Sequence, residues 1–323
     1  MSWKIAEIPS QAGKRVLITG ANSGVGYSAA VELARKGAEV VLACRDRARG
    51  EAALVRLRQD ADGPDSAASR AELAMLDLSS LASVRALAEA QIAQDRPLDC
   101  LVNNAGVMAP PERRETVEGM ELQFGTNVVG HFYLTALLLP LLEQAAAARV
   151  VTVASIAHKR GKIDFEDLQS VRRYSPMGAY QQSKLGDLMF AFELERRLRA
   201  AGSRVTSVAV HPGVARTELF KIGSSTGLSR LAERVLAGAI GALLNSQEGG
   251  AVPTLFAATS PDAVGGGYYG SQGFQEMRGG DVGPAKVAPQ ARDEAAQRRL
   301  WTVCEQLSGV NFLPDQREDH AKQ

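Results

Sequence analysis

The sequence predicts an α/β protein in which a doubly wound parallel sheet lies between two layers of helices. Two observations predict this fold. Short runs of β-branched residues alternate with longer helical patterns, and a glycine-rich turn follows the first run. The alternation continues from residue 14 to about 210 without a linker. We therefore expect a single domain over residues 1–323 that ends in a loose polar tail at about 315–323.

The hydrophobic periodicity assigns the elements in chain order. The predicted strands are residues 15–20, 39–43, 71–76, 98–103, 150–155, 205–210 and 265–269. The predicted helices are residues 25–36, an arginine-rich segment to about 59, 80–94, 117–143, 178–200, an alanine-rich segment to 244, a segment around 250–258, and 293–307.

Composition narrows the class of protein. The 37 basic and 36 acidic residues leave a formal net charge of +1, which favours neither nucleic acid nor an anionic membrane surface as a partner. The three cysteines and four histidines lack metal-ligand spacing, so we expect no metal site and no disulfide framework, as in a cytoplasmic protein. The longest apolar runs, 134–142 and 235–244, are shorter than the roughly 20 residues of a membrane span, and we expect none.

The glycine-rich turn predicts a phosphate-binding site. Residues 19–26 read Thr-Gly-Ala-Asn-Ser-Gly-Val-Gly, between the first strand and the first helix. Glycines there let the backbone approach an anion, and the free N–H groups of the helix start point at it. This strand–turn–helix context is typical of Rossmann-like dinucleotide-binding folds, with a plain turn as the alternative. The candidate residues are Gly20, Asn22, Ser23, Gly24, Val25 and Gly26.

The end of the second strand favours NADP(H) over NAD(H). NAD-binding folds usually carry an acidic residue there for the ribose 2′-hydroxyl, whereas this strand ends in Ala43-Cys44 and Arg45 follows. A guanidinium suits a 2′-phosphate. Two alternatives remain, because Asp46 could pair with Arg45 and because an arginine at a helix start is often only a solvated charge.

Polar residues follow the next two strands. Asp77 could accept a hydrogen bond from an adenine amino group, or could simply cap a turn. Asn104, Ala105 and Gly106 could let the backbone lie against a cofactor, or could form an ordinary turn.

A phenol, an ammonium and a hydroxyl form a candidate acid/base set. Tyr180 and Lys184 are four residues apart, so on a helix they share one face, and Ser155 lies 25 positions before Tyr180. A nearby cation lowers the pKa of a phenol. The spacing alone also occurs by chance, in which case a surface helix with one buried tyrosine is the better interpretation.

Together these residues resemble the short-chain dehydrogenase/reductase family over positions 14 to about 217. The shared motifs, in order, are Thr-Gly-x-x-x-Gly-x-Gly, Asp77-Leu78, Asn-Asn-Ala-Gly, Asn127 in Thr-Asn-Val-Val-Gly-His, Ser155, Tyr180-x-x-Ser-Lys184, and His-Pro-Gly-Val-Ala-Arg-Thr. The branch is similar to the retinol-dehydrogenase-like group, which includes proteins described as similar to protochlorophyllide reductase.

The resemblance implies a role for each matching position. Tyr180 would be the general acid/base, Lys184 would tune Tyr180 and bond the nicotinamide ribose, and Ser155 would bond the substrate oxygen. Asn127 would kink its helix and hold a water in a proton relay. The implied cofactor contacts outside the glycine turn are Arg45, Asp77, Leu78, Asn104, Ala105, Gly106, Tyr180, Lys184, Pro212, Gly213 and Thr217. A cofactor half would then span about 14–155, and a catalytic and substrate part about 156–310.

The expected function is therefore that of an NADP(H)-dependent oxidoreductase that interconverts a small-molecule carbonyl and alcohol, on an apolar substrate. Substrate selection is expected in residues 157–178 and 217–234. The alternative is a non-catalytic nucleotide-binding sensor or scaffold of the same fold, and a light-driven reductase is a third possibility. The resemblance also suggests a homo-oligomer, either a dimer or a tetramer, although the branch includes monomers.

Overall fold

A computed structural model of the chain describes residues 3–63, 65–213, 246–277 and 281–315. Candidate residue Thr217, the predicted substrate segment 217–234, the alanine-rich helix before 244 and the tail after 315 lie outside the described residues.

The described residues form one eight-stranded sheet. Its strands are β1 (Arg15–Thr19), β2 (Glu39–Cys44), β3 (Glu72–Met75), β4 (Cys100–Asn103), β5 (Arg149–Val153), β6 (Thr206–His211), β7 (Tyr268–Ser271) and β8 (Val282–Pro284). The spatial order is β3-β2-β1-β4-β5-β6-β7-β8, with β8 alone antiparallel to its neighbour. This order confirms the predicted doubly wound sheet.

Seven helices of the described residues cover the sheet. They are α1 (Gly24–Arg35), α2 (Arg47–Asp60), α3 (Leu81–Ile92), α4 (Leu122–Gln144), α5 (Pro176–Ala200), α6 (Gln247–Thr259) and α7 (Glu294–Ser308). Residues 125–129 of α4 form a π-helical turn.

Each face of the sheet has its own apolar core, as a three-layer fold requires. Helices α1, α2 and α6 pack in one core, and α3, α4, α5 and α7 pack in the other. Side chains along β1 alternate between the two faces and so contribute to both cores. Val16 and Ile18 lie in the first core and Leu17 lies in the second. The buried strands read as continuous apolar runs for this reason.

The start of α4 differs from the predicted helix 117–143. Gly119 has a φ of +80°, and the N–H of Thr116 bonds the carbonyl of Met120, so the chain turns here instead of forming a helix. The carboxylate of Glu121 then accepts the N–H groups of Gln123 at 3.0 Å and Phe124 at 2.8 Å. The helix therefore begins at Leu122, where its first amides are capped.

The end of the sheet also differs from the sequence prediction. The strand expected at 265–269 runs from Tyr268 to Ser271, since Gly266 has a φ of +75° and forms a turn. Strand β8 was not predicted. It is three residues long and contains a glycine and a proline, which give no alternation pattern and suit only an edge strand.

Among the described residues, one helix is long and apolar enough to cross a membrane. This helix is α4, and 83% of its most apolar window is buried within the protein. The sequence prediction considered only the shorter runs at 134–142 and 235–244, and the expected absence of a membrane span stays a prediction.

Candidate active site

A cleft of about 630 Å³ opens at the carboxyl ends of the central strands. It lies beside β1 and β4, where the strand order reverses and doubly wound sheets bind ligands. The sequence-predicted residues that line it are Gly20, Asn22, Ser23, Gly24, Val25, Gly26, Arg45, Asp77, Leu78, Asn104, Ala105, Gly106, Ser155, Tyr180, Lys184, Pro212 and Gly213. Asn127 lies behind the cleft wall and contacts its backbone, as described below.

The glycine turn has the shape of an anion cradle. Gly20 and Gly24 have φ values of +67° and +63°, which glycine adopts without strain. A Cβ on Gly26 would lie 2.4 Å from Nδ2 of Asn104, so the backbone can approach the β4 loop this closely only without a side chain. Helix α1 begins at Gly24 and its first residues line the cleft, where the free N–H groups of a helix start favour an anion. The turn therefore fits the pyrophosphate of a dinucleotide.

A hydrogen-bond network holds the β4 loop against the glycine turn. The hydroxyl of Thr19 accepts the backbone N–H groups of Asn104 and Ala105, both at 2.9 Å. The side-chain amide of Asn104 donates to the carbonyl of Thr19 at 2.8 Å. These bonds fix two sides of the cleft relative to each other.

His131 joins this network from α4, which the sequence did not predict. Its Nδ1 lies 2.8 Å from the carbonyl of Asn127, so this nitrogen donates, and Nε2, 2.9 Å away, accepts the hydroxyl of Thr19. Burial lowers the pKa of His131 to about 3, so the imidazole is neutral. His131 follows Asn127 by four residues and so lies on the same helical face, and this spacing is the sequence signal that could have identified His131.

Asn127 lies in the π-helical turn of α4, and the expected kink of this helix stays a prediction. Its Oδ1 accepts the N–H of Val107 at 2.8 Å, and its Nδ2 donates to the carbonyl of Val107 at 3.0 Å. Nδ2 also donates to the hydroxyl of Ser183 at 2.9 Å, and this hydroxyl donates to the carbonyl of Tyr180. The amide thus ties the cleft loop to α5, while its role in a water relay stays a prediction.

Ser155, Tyr180 and Lys184 meet at the wall formed by β5 and α5. Ser155 follows β5, and its hydroxyl accepts the N–H of Ala157 at 3.2 Å, so it caps a turn and lines the cleft at once. Tyr180 and Lys184 lie one helical turn apart on α5, which begins behind the Ser175 cap. Both side chains line the cleft.

The ammonium of Lys184 is buried and paired. Its Nζ donates to the carbonyl of Val153 at 2.9 Å and to Oδ2 of Asp187 at 2.8 Å. Burial alone would lower the pKa of Lys184, but the charges of Asp187 and Tyr180 outweigh it and raise that pKa. Burial raises the pKa of Asp187 to about 6, against the opposing charge of Lys184. Sequence reasoning did not single out Asp187, although its spacing of three residues from Lys184 is a usable signal.

Two arginines lie at the end of the cleft beside β2. Arg45 was predicted and Arg49 was not, although it follows by four residues at the start of an arginine-rich helix. Both are exposed. Asp46 caps α2 by accepting the N–H of Arg49 at 2.9 Å. This accounts for Asp46 without a pairing to Arg45.

Asp77 shows the geometry of a turn residue within the cleft wall. Its Oδ1 accepts the N–H of Ser79 at 2.9 Å and the hydroxyl of the same residue at 2.6 Å. The side chain therefore stabilises the turn after β3. Because Asp77 also lines the cleft, its proposed contact with an adenine amino group is sterically accessible.

Two further histidines lie behind the cleft and support its walls. His158 Nδ1 donates to the carbonyl of Ser155 at 2.7 Å. His211 Nδ1 accepts the N–H of Gly213 at 3.1 Å, and burial lowers the pKa of His211 to about 4. These contacts give both residues structural roles.

Comparisons with known proteins place the chain among oxidoreductases. The family described as short chain dehydrogenase matches residues 14–226. The chain is 41% identical to mouse retinol dehydrogenase 14 over 305 residues, covering 92% of this chain and 86% of that protein. It is 42% identical to mouse polyprenol dehydrogenase over 308 residues, covering 94% of this chain and 86% of that protein.

Solved structures similar to this chain include dehydrogenases of the same family. An uncharacterised protein from Mycobacterium Paratuberculosis is 40% identical, with a TM-score of 0.77 over 97% of this chain and 99% of that one. Pseudomonas aeruginosa RhlG, solved as an active-site complex with NADP, is 26% identical, with a TM-score of 0.60 over 80% of this chain and 94% of that one. A Burkholderia phymatum short chain dehydrogenase/reductase in complex with NAD is 27% identical, with a TM-score of 0.55 over 77% of this chain and 86% of that one.

Proposed function

This chain belongs to the short-chain dehydrogenase family, on its retinol-dehydrogenase-like branch, and we propose that it is NADP(H)-dependent and uses Tyr180 as general acid/base. Membership makes the protein an oxidoreductase of carbonyl and alcohol groups. One observation supports the proposal above all. The glycine turn, the arginine pair Arg45 and Arg49, and the set Ser155, Tyr180 and Lys184 line a single cleft.

The residues of the cleft fit a dinucleotide by shape and charge. The side-chain-free turn from Gly20 to Gly26 would hold the pyrophosphate, and the Pro212–Gly213 turn and Lys184 would border the nicotinamide end. A nicotinamide cofactor, when bound, supplies or accepts the hydride. The protein's own task is then to hold the substrate oxygen and to move one proton.

We assign that proton to Tyr180. Its phenol would donate to the oxygen of a carbonyl that is being reduced, or accept from an alcohol that is being oxidised. The ammonium of Lys184, one helical turn away, would stabilise the negative charge of the phenolate during this proton transfer. The hydroxyl of Ser155 would bond the same substrate oxygen as charge develops on it.

The preference for NADP(H) is argued from the end of β2. Related structures contain NADP in one case and NAD in another, so the argument depends on this chain's own residues. Two exposed guanidiniums, Arg45 and Arg49, line that end of the cleft, and Asp46, the carboxylate between them in the sequence, caps α2. Guanidiniums suit a 2′-phosphate, whereas NAD selection normally uses a carboxylate for the 2′-hydroxyl.

An apolar alcohol or carbonyl compound is the proposed substrate class. Apolar side chains line the cleft near the acid/base set, among them Met108, Ile156 and Met177. Two relatives are named for retinol and polyprenol, which are apolar isoprenoid alcohols.

We also propose a cytoplasmic location, supported by three buried free thiols. A homo-oligomer is proposed as well, supported by the family resemblance alone.

The test is a titration with NADPH and NADH, followed by a carbonyl and alcohol panel with the preferred cofactor. Tyr180→Phe should bind NADPH like the wild type and lose about 10²- to 10⁴-fold in turnover, the usual size of an acid/base contribution. Tyr269→Phe is the matched control, because that phenol accepts the N–H of Val264 at 3.0 Å and does not line the cleft.

Turnover retained by Tyr180→Phe would overturn the acid/base assignment. Tighter binding of NADH than of NADPH would overturn the cofactor preference. A wild-type protein that binds NADPH but converts no member of the panel would favour the non-catalytic sensor or scaffold instead.

A further inference from the structure

A buried carboxylate lies directly behind the proposed acid/base pair. Asp187 follows Lys184 by three residues on α5, and its Oδ2 is 2.8 Å from Nζ of Lys184. The two side chains are only 3% and 6% exposed. Burial of an ion pair costs solvation free energy, and the attraction between the two charges does not always recover this cost. The presence of a buried ion pair beside the cleft therefore points to a role other than stability.

The partners of Lys184 determine where its remaining donor points. An ammonium has three N–H groups in a fixed tetrahedral arrangement. One donates to the carbonyl of Val153 at 2.9 Å and one to Asp187. Lys184 lines the cleft, and its Nζ lies 3.6 Å from where a Cβ of Gly106 would be, at the cleft wall. Two anchored donors therefore leave the third N–H for the cleft side.

We propose that Asp187 is a positioning residue that acts through Lys184, holding the ammonium in place and in its charged form so that it presents one N–H and a positive charge to the cleft. This inference deepens the proposed function and depends on the role given there to Lys184.

Asp187 is the main source of negative charge beside the ammonium of Lys184. The titratable groups that act on the pair are Tyr180 on the same helix, His131 on α4 and Cys304 on α7. His131 is neutral because burial lowers its pKa to about 3, and burial raises the pKa of the Cys304 thiol. A lysine buried among neutral groups would lose its proton easily, and the carboxylate of Asp187 opposes this loss.

The pairing also has a defined pH range. Burial raises the pKa of Asp187 to about 6, so its carboxylate is charged above this pH and neutral below it. Above pH 6 the carboxylate stabilises the ammonium of Lys184. Below pH 6 the protein should behave as if Asp187 carried no charge.

The test compares the wild type with Asp187→Asn, which keeps one oxygen that can accept from Nζ and removes the negative charge. NADPH binding is measured by fluorescence titration from pH 5.5 to 10, together with kcat/KM for a converted substrate. We expect the two proteins to agree near pH 5.5. As the pH rises, Asp187→Asn should lose affinity at least one pH unit before the wild type, reaching a difference of about tenfold, the size of one hydrogen bond to a charged group. The alkaline limb of kcat/KM should shift in the same direction.

Glu195→Gln is the matched control. Glu195 is also buried on α5 and bonds Arg199 and the N–H of Ser207, but it lies away from the cleft. Its substitution should lower stability and leave both pH profiles unchanged. If Asp187→Asn does not fold, Asp187→Ser removes the same charge and leaves room for a water beside Nζ.

Identical pH profiles of the wild type and of a folded charge-free variant would overturn the inference. A wild-type protein that does not bind NADPH at any pH would instead count against the proposed function, so the two failures are distinguishable.

Discussion

The imidazole of His131 and the hydroxyl of Thr19 meet at 2.9 Å, across 112 positions of sequence. His131 also donates to the carbonyl of Asn127, and Thr19 receives two N–H groups of the β4 loop. One neutral side chain thus connects the helix that carries Asn127 with the strand that leads into the glycine turn. The cofactor side and the catalytic side of the cleft share this contact.

His131→Gln should weaken the acid sensitivity of folding. The folded pKa of His131, about 3, lies below its unfolded value near 6.5. The unfolded chain therefore takes up a proton that the folded chain does not. This histidine's contribution to stability is complete above pH 6.5 and is lost as the pH falls toward 3, by up to about 1.4 kcal/mol per pH unit.

Urea unfolding of both proteins between pH 4.5 and 8 measures this slope. His131→Gln should show a slope lower by up to one proton. Thr135→Val, one turn later on α4, removes the bonds of a buried hydroxyl that does not titrate and should leave the slope as in the wild type. An unchanged slope in His131→Gln would mean that this imidazole titrates normally in the folded protein.

Gly26→Ala should disrupt the cradle itself. The new Cβ would lie 2.4 Å from Nδ2 of Asn104 and 3.0 Å from the carbonyl of Gly20, so Asn104 must move and its bond to Thr19 would break. We expect a loss of about 1–3 kcal/mol in the free energy of unfolding and weaker NADPH binding.

Chemical denaturation and NADPH titration check both effects. Ser28→Ala, a half-buried position on the same helix, is the control and should change neither quantity. Wild-type affinity in Gly26→Ala would show that close approach of the turn to the β4 loop is not needed for binding.

Arg45→Ala and Arg49→Ala should each reduce affinity for NADPH and leave NADH almost unaffected. A charge-assisted hydrogen bond contributes about 1.5–3 kcal/mol, which corresponds to roughly 10- to 100-fold in the dissociation constant. Arg47→Ala is the control, because Arg47 is paired with Glu51 and does not line the cleft. Equal losses for both cofactors would indicate that the arginines attract the pyrophosphate and do not read the 2′-phosphate.

Asn127→Ala should be destabilising even without a cofactor. Its amide makes three hydrogen bonds, and its loss leaves the N–H and carbonyl of Val107 unsatisfied. The expected cost is on the order of 3 kcal/mol in the free energy of unfolding.

Thermal and urea unfolding of the apoprotein measure this cost. Thr126→Val, at the position before Asn127, is the control. The hydroxyl of Thr126 is buried and has no hydrogen-bond partner within the described part of the chain. Wild-type stability in Asn127→Ala, combined with low turnover, would indicate that Asn127 acts only in a proton relay.

The sequence alone determined the seven parallel strands and most of the candidate site residues in the cleft wall. Six of the seven predicted strands were right to within about two residues, because buried parallel strands are continuous apolar runs between clear turn signals. The glycine turn and the Tyr180–Lys184 pair were found because each depends on short-range spacing, and Ser155 was found as a hydroxyl at the end of a predicted strand. Motif order then indicated that they belong to one site.

Tertiary structure alone decided which groups these residues meet. Thr19 and His131 are far apart in sequence, and no local pattern indicates that a neutral imidazole joins them. The start of α4 depends on the cap by Glu121, and β8 exists only because β7 offers an edge to pair with. Spacing could have linked Asp187 to Lys184, but only packing shows that the pair is buried. Periodicity encodes local conformation, whereas burial and long-range partners arise when the layers pack together.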